Sequence, residues 1–318
     1  VFPTRPFTQA PFDALAALPR RPHPYFETHA RHVVVTSRQW GPVRVHYREW
    51  GEGPPLLLVH GLMTTSYSWR YVLAELGRSY RVIAPDLPGS GRSGKPAGPY
   101  RASTLAGFLG ELIGALQIRG CAAVGNSLGG YLCMRLALAD EGALSRLVNV
   151  HSPAFPEPRL RALHRLMAVP GAVALLAALV RRAPERWAHK HVHYFDEGLK
   201  SREEAREYGA PLATAEGALA FARTLAEVLD PRELSAFVAE LEQRRQVGAG
   251  FPIPVCLIYA RRDPMVPPSV GRRLSMLVPE AELHWLERSS HFAQVDSPDE
   301  VTAIARRFLG RTPEDQRA

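Results

Sequence analysis

Six short, mostly apolar runs recur along this chain, and most are separated by segments of helical length. They are Pro55–His60 (PLLLVH), Arg81–Pro85 (RVIAP), Ala122–Gly125 (AAVG), Leu147–Val150 (LVNV), Val255–Tyr259 (VCLIY) and Glu282–Leu286 (ELHWL). A strand buried on both faces reads as an unbroken apolar run, whereas a half-exposed strand alternates. Strand–helix alternation of this kind predicts an α/β protein with a doubly wound, mostly parallel sheet. Two earlier stretches, 32–40 (HVVVTSRQW) and 43–50 (VRVHYREW), alternate like paired antiparallel strands and bring the expected sheet to eight strands.

One interval breaks the rhythm. Residues 154–250 hold no strand-like run and are rich in Ala, Leu, Glu and Arg, so they read as an inserted helical module. A chain of 318 residues is near the upper limit for one hydrophobic core. The expected division is therefore a core in two blocks, 31–153 and 251–318, around that module. Residues 1–30 carry six Pro before position 25 and no sustained periodicity. They read as an arm that lies over the domain or is partly disordered.

Composition excludes several classes. Hydrophobic residues make up 46% of the chain, too much for a disordered protein. The three cysteines, Cys121, Cys133 and Cys256, form no CxxC pair and sit in apolar stretches, so reduced thiols and a cytoplasmic location are expected. The net charge is +8, but only three of the 39 basic residues are Lys (Lys95, Lys190, Lys200). The arginines are scattered, in pairs at most, which fits a GC-rich bacterial genome better than a nucleic-acid surface. The longest apolar stretch, Leu166–Val180, is interrupted by Pro170 and Gly171 and is short of the ~20 residues of a spanning helix. A buried or tunnel-lining helix is expected there, and no stable membrane insertion; contact with a membrane interface, between the flanking Arg161, Arg165, Arg181 and Arg182, is the alternative. No signal peptide is visible, although the chain opens on Val1, as a processed chain would.

The strongest local signal is Gly125-Asn126-Ser127-Leu128-Gly129-Gly130, between the apolar run 122–125 and a helical run at 131–139. A strand that reverses sharply into a helix needs very small residues around the turn. The turn then lifts the Ser127 hydroxyl clear of the backbone and aims the Leu128 N–H at an oxyanion. Serine alone is a weak nucleophile, so a base and a carboxylate must come from elsewhere. Asp263 follows the run 255–259, and His291 follows the run 282–286. Both fall just beyond the C-terminal ends of predicted strands, where open α/β sheets build their sites. His60-Gly61-Leu62-Met63 follows the run 55–60, and a second oxyanion N–H is expected from Leu62, with Met63 as the alternative.

The order of these four elements resembles that of the α/β-hydrolase superfamily over residues 32–310, the loop Asp86-Leu87-Pro88-Gly89-Ser90-Gly91-Arg92-Ser93 included. The stretches Thr64–Arg70 (TTSYSWR) and His291–Asp296 (HFAQVD) are especially similar to haloalkane dehalogenases and their epoxide-hydrolase relatives. Those enzymes use an Asp nucleophile. Here Ser127 takes that position, and Leu62 stands where dehalogenases carry a halide-stabilising Asn, so the resemblance does not extend to dehalogenation. It implies an α/β-hydrolase fold with 154–250 as a helical cap. It also implies a triad of Ser127, Asp263 and His291 with Leu62 and Leu128 as oxyanion donors. The activity implied is hydrolysis of a small-molecule carboxylic ester or lactone, with no metal or organic cofactor. Carbon–carbon hydrolases of ring-fission pathways share the Gly-Asn-Ser turn and are the rival; they would need a carboxylate-gripping Arg, for which Arg181, Arg182 or Arg206 could serve. A ligand receptor or inactive relative on the same scaffold is the other rival. Met63, Asn126, Trp69 and Phe292 are the candidates to line the substrate pocket, and the oligomeric state is not legible.

Several motifs have plainer readings. Gly89–Gly94 matches GxGxxG, but Lys95-Pro96 follows at once and no helix opens. His189, His191 and His193 alternate, so a helix would bring only two of them together, without the carboxylate spacing of a zinc site. Asp86 is expected to anchor its own turn, and Asp296 follows His291 too closely to orient it easily; Glu287 is the third alternative. Asn149 and His151 occupy the place after the predicted 147–150 strand where some relatives carry the acid, which leaves Asp263 in that role.

Overall fold

The computed structural model describes residues 6–310. Residues 1–5 of the proline-rich arm and 311–318 of the second core block lie outside the described residues. Eight strands form one sheet: β1 (His29–Ser37), β2 (Gly41–Trp50), β3 (Pro55–Val59), β4 (Arg81–Pro85), β5 (Cys121–Asn126), β6 (Leu144–Val150), β7 (Val255–Ala260) and β8 (Glu282–Leu286). Their order is β1-β2-β4-β3-β5-β6-β7-β8. The β1–β2 and β2–β4 pairs are antiparallel, and the others are parallel. The six apolar runs become β3 to β8. β1 begins earlier than its alternation predicts, because its first four residues are exposed at the sheet edge and carry no apolar signal.

The first helices are α1 (Leu73–Leu76), α2 (Ala102–Ala115) and α3 (Leu128–Ala139). Between β6 and β7 come α4 (Pro158–Met167), α5 (Ala172–Arg182), α6 (Pro184–His191), α7 (Arg202–Gly209), α8 (Ala215–Glu227) and α9 (Pro231–Gln246). The chain continues through α10 (Pro268–Leu277), α11 (Ala293–Asp296) and α12 (Pro298–Leu309). Successive strand residues point to opposite faces, so one run feeds two cores. Leu57 and Val59 of β3 pack with residues of α2, α3, α9 and α10, whereas Leu56 and Leu58 pack with α1, α11 and α12. That two-sided covering is why the strands read as unbroken apolar runs.

Within the 154–250 segment, α5 packs on α8 through Ala177, Ala218 and Ala222, and through Val180 and Phe221. The last helix, α9, lies in the layer that covers the sheet: Phe237 meets Tyr131 of α3 edge-on at 5.2 Å, and Leu234 and Leu241 join the same core. The described part of the arm lies over α6 and α7. Ala16 and Ala17 carbonyls accept the Arg202 and Glu203 N–H groups, two donors that the first turn of a helix leaves unpaired. Tyr25 is fully buried, with its hydroxyl on Ser66.

The three cysteines are buried and form no disulfide among the described residues, and burial pushes the Cys121 thiol up to about 12. Among the described residues no single helix is long and apolar enough to cross a membrane.

Candidate active site

Ser127 sits between β5 and α3 with φ 53° and ψ −118°, a backbone conformation that a non-glycine residue adopts only when its surroundings force it. The surroundings are glycines. A Cβ on Gly125 would come within 2.5 Å of Gly130, and one on Gly129 within 2.0 Å of the Val59 carbonyl. A Cβ on Gly130 would fall 2.3 Å from the Ser152 hydroxyl. Strand β5, helix α3 and the end of β3 therefore approach one another more closely than any side chain permits. The Ser127 N–H donates to the Val150 carbonyl at 2.7 Å, which ties the strained residue to β6.

His291 follows β8 and Asp263 follows β7. His291 Nδ1 lies 2.8 Å from Asp263 Oδ2, and both side chains are buried. The other carboxylate oxygen accepts the Met265 and Val266 N–H groups at 2.6 and 2.8 Å. Burial alone would raise the Asp263 pKa, but His291, electrostatically and through its hydrogen bond, together with the Val266 N–H, holds it below the usual carboxylate value. The Asp263 contact places the imidazole proton on Nδ1 and leaves Nε2 as a base. His151 lies nearby, its Nε2 4.0 Å from Asp263. That nitrogen accepts the Ala260 N–H at 2.5 Å, and burial lowers the His151 pKa to about 3, so the ring is neutral. It adds no charge to the pair.

Ser127, Leu128, His291 and Leu62 share the wall of a cavity of about 300 Å³. No hydrogen bond joins Ser127 Oγ to His291 among the described residues; such contacts tighten when substrate arrives. Leu128 is the first residue of α3, and Leu62 follows β3. Neither backbone N–H has a hydrogen-bond partner among the described residues. The rest of the wall is mostly apolar: Phe155, Leu160 and Leu163 on one side, Leu225 and Leu229 on another, and the loop 264–267 beside Asp263. Glu157 and Arg159 are the charged lining residues; Glu157 pairs with Arg273, and Arg159 donates to the Pro264 carbonyl.

The four pocket candidates lie elsewhere. Trp69 is fully buried under the sheet with Val72, Leu73 and Leu56. Phe292 packs among Tyr25, Tyr67 and Tyr194, with its ring edge-on to His291 at 5.2 Å. Asn126 is buried and donates from Nδ2 to the His291 carbonyl at 2.9 Å, so it ties the histidine loop to the serine turn. Met63, at φ 66°, borders a narrower neighbouring cavity. None of the four lines the Ser127 cavity; each serves local packing or positioning. The expectation of a tunnel-lining helix over 166–180 also fails: Leu166, Val169, Leu175 and Leu179 are exposed. The cavity instead takes Leu160 and Leu163, whose i, i+3 spacing was the available sequence signal.

The remaining candidates are engaged locally. Asp86 accepts the Ser66 and Arg92 N–H groups, which closes its own turn. Glu287 pairs with Arg261 at the surface. Asp296 accepts the Ser290 and Phe195 N–H groups and bonds the Ser290 hydroxyl. The three alternating histidines have separate partners: the Ala10 carbonyl for His189, the Trp187 carbonyl for His191, and Gln9 and Glu197 for His193.

The sheet order, the strained serine turn and the loops at the carboxyl ends of β3, β7 and β8 define an α/β hydrolase. The alpha/beta hydrolase family model matches residues 56–304, and the chain belongs to that family. An uncharacterized protein of Mycobacterium tuberculosis is 31% identical over 280 residues, 84% of this chain and 78% of that one. Haloalkane dehalogenase 2 of the same organism is 29% identical over 271 residues, 83% and 91% of the two chains. Among solved structures, a thermophilic esterase from Thermogutta terrifontis superposes with a TM-score of 0.71 at 23% identity, covering 88% of this chain and 98% of its own. The expected kinship with haloalkane dehalogenases is thus found.

Proposed function

We propose that the protein is a serine hydrolase that cleaves a carboxylic ester, or a lactone, with an apolar acyl or alcohol part. The observation that carries this reading is the strained Ser127 on the wall of an apolar cavity shared with His291, whose Nδ1 is held by Asp263. Family membership does not choose between chemistries, since the dehalogenase and the esterase named above differ. The residues supply the choice.

Ser127 Oγ attacks the ester carbonyl while His291 Nε2 takes its proton, and Asp263 stabilises the imidazolium. The Leu62 and Leu128 N–H groups receive the developing oxyanion, each worth about 3 kcal/mol of transition-state stabilisation. His291 then protonates the leaving alkoxide. In the second half the same nitrogen activates water, and the acyl group leaves Ser127 as a carboxylic acid.

The carbon–carbon reading needs an Arg in the cavity. Arg181, Arg182 and Arg206 are exposed and do not line it; Arg159 does, but its guanidinium donates to the Pro264 carbonyl, so none of the three candidates supports that reading. A p-nitrophenyl ester chain-length series, run beside a coloured ring-fission product, distinguishes the two. The expected result is ester turnover by the native chain and a loss on the order of 10⁴-fold or more in Ser127→Ala. Equal turnover by the two proteins, or equal fluorophosphonate labelling, would remove Ser127 from the mechanism. An absence of both activities in the native chain would favour the receptor reading.

A further inference from the structure

Helix α5 is apolar on both sides. Its inner side places Leu176, Ala177 and Val180 against α8 and neighbouring residues. Its outer side presents Ala174, Leu175, Ala178 and Leu179 to solvent. A helix that is hydrophobic all round belongs in a protein core or a lipid phase, yet α5 lies at the surface of the molecule. The preceding helix continues the pattern, with Leu166 at its end and Val169 in the connection. Leu166, Val169, Leu175 and Leu179 are 63%, 55%, 62% and 45% exposed, four of the nine large apolar side chains that the described residues leave exposed.

Along the two helices themselves the charges have one sign. From Pro158 to Arg182 the chain carries five arginines and neither Asp nor Glu. Among the described residues none of Arg159, Arg161, Arg165, Arg181 and Arg182 forms an ion pair, although 14 other arginines do. Exposed leucines flanked by unpaired arginines match the chemistry of an anionic lipid surface, with apolar groups entering the acyl boundary and guanidinium groups at the headgroups. The two helices are bent by 96° and are only 10 and 11 residues long. At 1.5 Å per residue neither reaches across a ~30 Å hydrocarbon layer, so the geometry suits lying in the interface and not spanning it.

We propose that the α4–α5 hairpin is a docking surface for anionic membranes. The same α4 that ends on Leu166 carries Leu160 and Leu163 on the wall of the Ser127 cavity. A docked hairpin therefore holds that wall within about one helix thickness of the lipid. The docking itself does not depend on the chemistry assigned to Ser127.

Flotation with vesicles of equal parts phosphatidylglycerol and phosphatidylcholine tests this, with pure phosphatidylcholine vesicles alongside. The native chain is expected to float with the mixed vesicles and hardly at all with the neutral ones, and binding should weaken as salt screens the arginines. Leu175→Glu with Leu179→Glu should abolish flotation while leaving the circular dichroism spectrum and melting temperature in place, because both side chains are already in water. Arg181→Gln with Arg182→Gln should weaken binding about fivefold per arginine and flatten its salt dependence. Equal flotation of the native chain and the double Glu variant overturns the proposal. So does a native chain that stays unbound but dimerises through these leucines, which sedimentation velocity detects. Ser127→Ala should bind as the native chain does, so loss of the ester reading leaves this test intact.

Discussion

Two stretches of the 154–250 segment, α6–α7 and α4–α5, meet the rest of the molecule differently. Around α6 and α7 the contacts are buried, charged and paired. Arg70, fully buried in the core block, reaches Glu204 of α7 at 2.5 Å and stacks over Tyr67 and Tyr71 at 4.6 Å. Tyr194 donates to the same Glu204 carboxylate, and Tyr67 and His23 meet Glu203. Lys200 pairs with Glu197 out of solvent. Among the described residues no side chain from Pro158 to Arg182 forms an ion pair, although Glu157 at the start of α4 pairs with Arg273, and leucines face water. One stretch is bolted by groups that are costly to leave unpaired in a low dielectric. The other is held by ordinary apolar packing on α8. The cavity wall draws on the second stretch, through Leu160 and Leu163 of α4, so the freer part of the segment is the part that shapes the substrate space.

The largest expected effect is at the bolted stretch. Glu204→Ala leaves the Arg70 guanidinium buried without its partner and should cost about 3–5 kcal/mol, read as a lower urea midpoint. Arg70→Met combined with Glu204→Leu should recover most of that loss. If Glu204→Ala denatured like the native chain, the bolt would be no bolt.

Next comes the pH dependence of Asp296, which links the Phe195 N–H to the loop of His291. Burial raises its pKa to about 7, against opposing hydrogen bonds from Ser290 and Phe195. For a carboxyl raised in the folded state, the fold binds the proton more tightly than the unfolded chain does. Its stabilising contribution is complete below the unfolded value near 3.8 and is lost as pH rises through about 7. Stability measured from pH 4 to 8 should therefore contain a falling component, on the order of a few kcal/mol, that is missing in Asp296→Asn. An identical pH profile in the two proteins would show that the carboxyl titrates alike in the folded and unfolded states.

The smallest effect belongs to the other stretch. Leu175→Glu with Leu179→Glu should shift unfolding by no more than about 0.5 kcal/mol per site, since exposed positions have little packing to lose. A large destabilisation there would mean that this stretch is as firmly held as the first, and the contrast would disappear.

Much of the site was legible one residue at a time. Gly125, Gly129 and Gly130 announce a turn that no larger residue can make, and the steric reason is local. The loops carrying Asp263 and His291 were readable because each follows a short strand-like run, buried in β7 and half-buried at the sheet edge in β8. The pocket was not legible. Trp69 and Phe292 are apolar residues near the right motifs, but which way a loop residue faces depends on the elements packed over it. Leu166–Val180 looked like a buried helix because apolar composition normally means burial. The bend at Pro170-Gly171 and the position of α8 put half of those side chains in water.

The sequence by itself determined the sheet, its two-sided covering, and the turn that lifts Ser127, because periodicity and glycine sterics act over a few residues. Only the tertiary structure decided that Arg70 finds Glu204 across 134 positions, that Asn126 holds the His291 loop, and that α5 turns leucines outward. These depend on contacts between distant segments, and no local pattern encodes which partner a side chain meets.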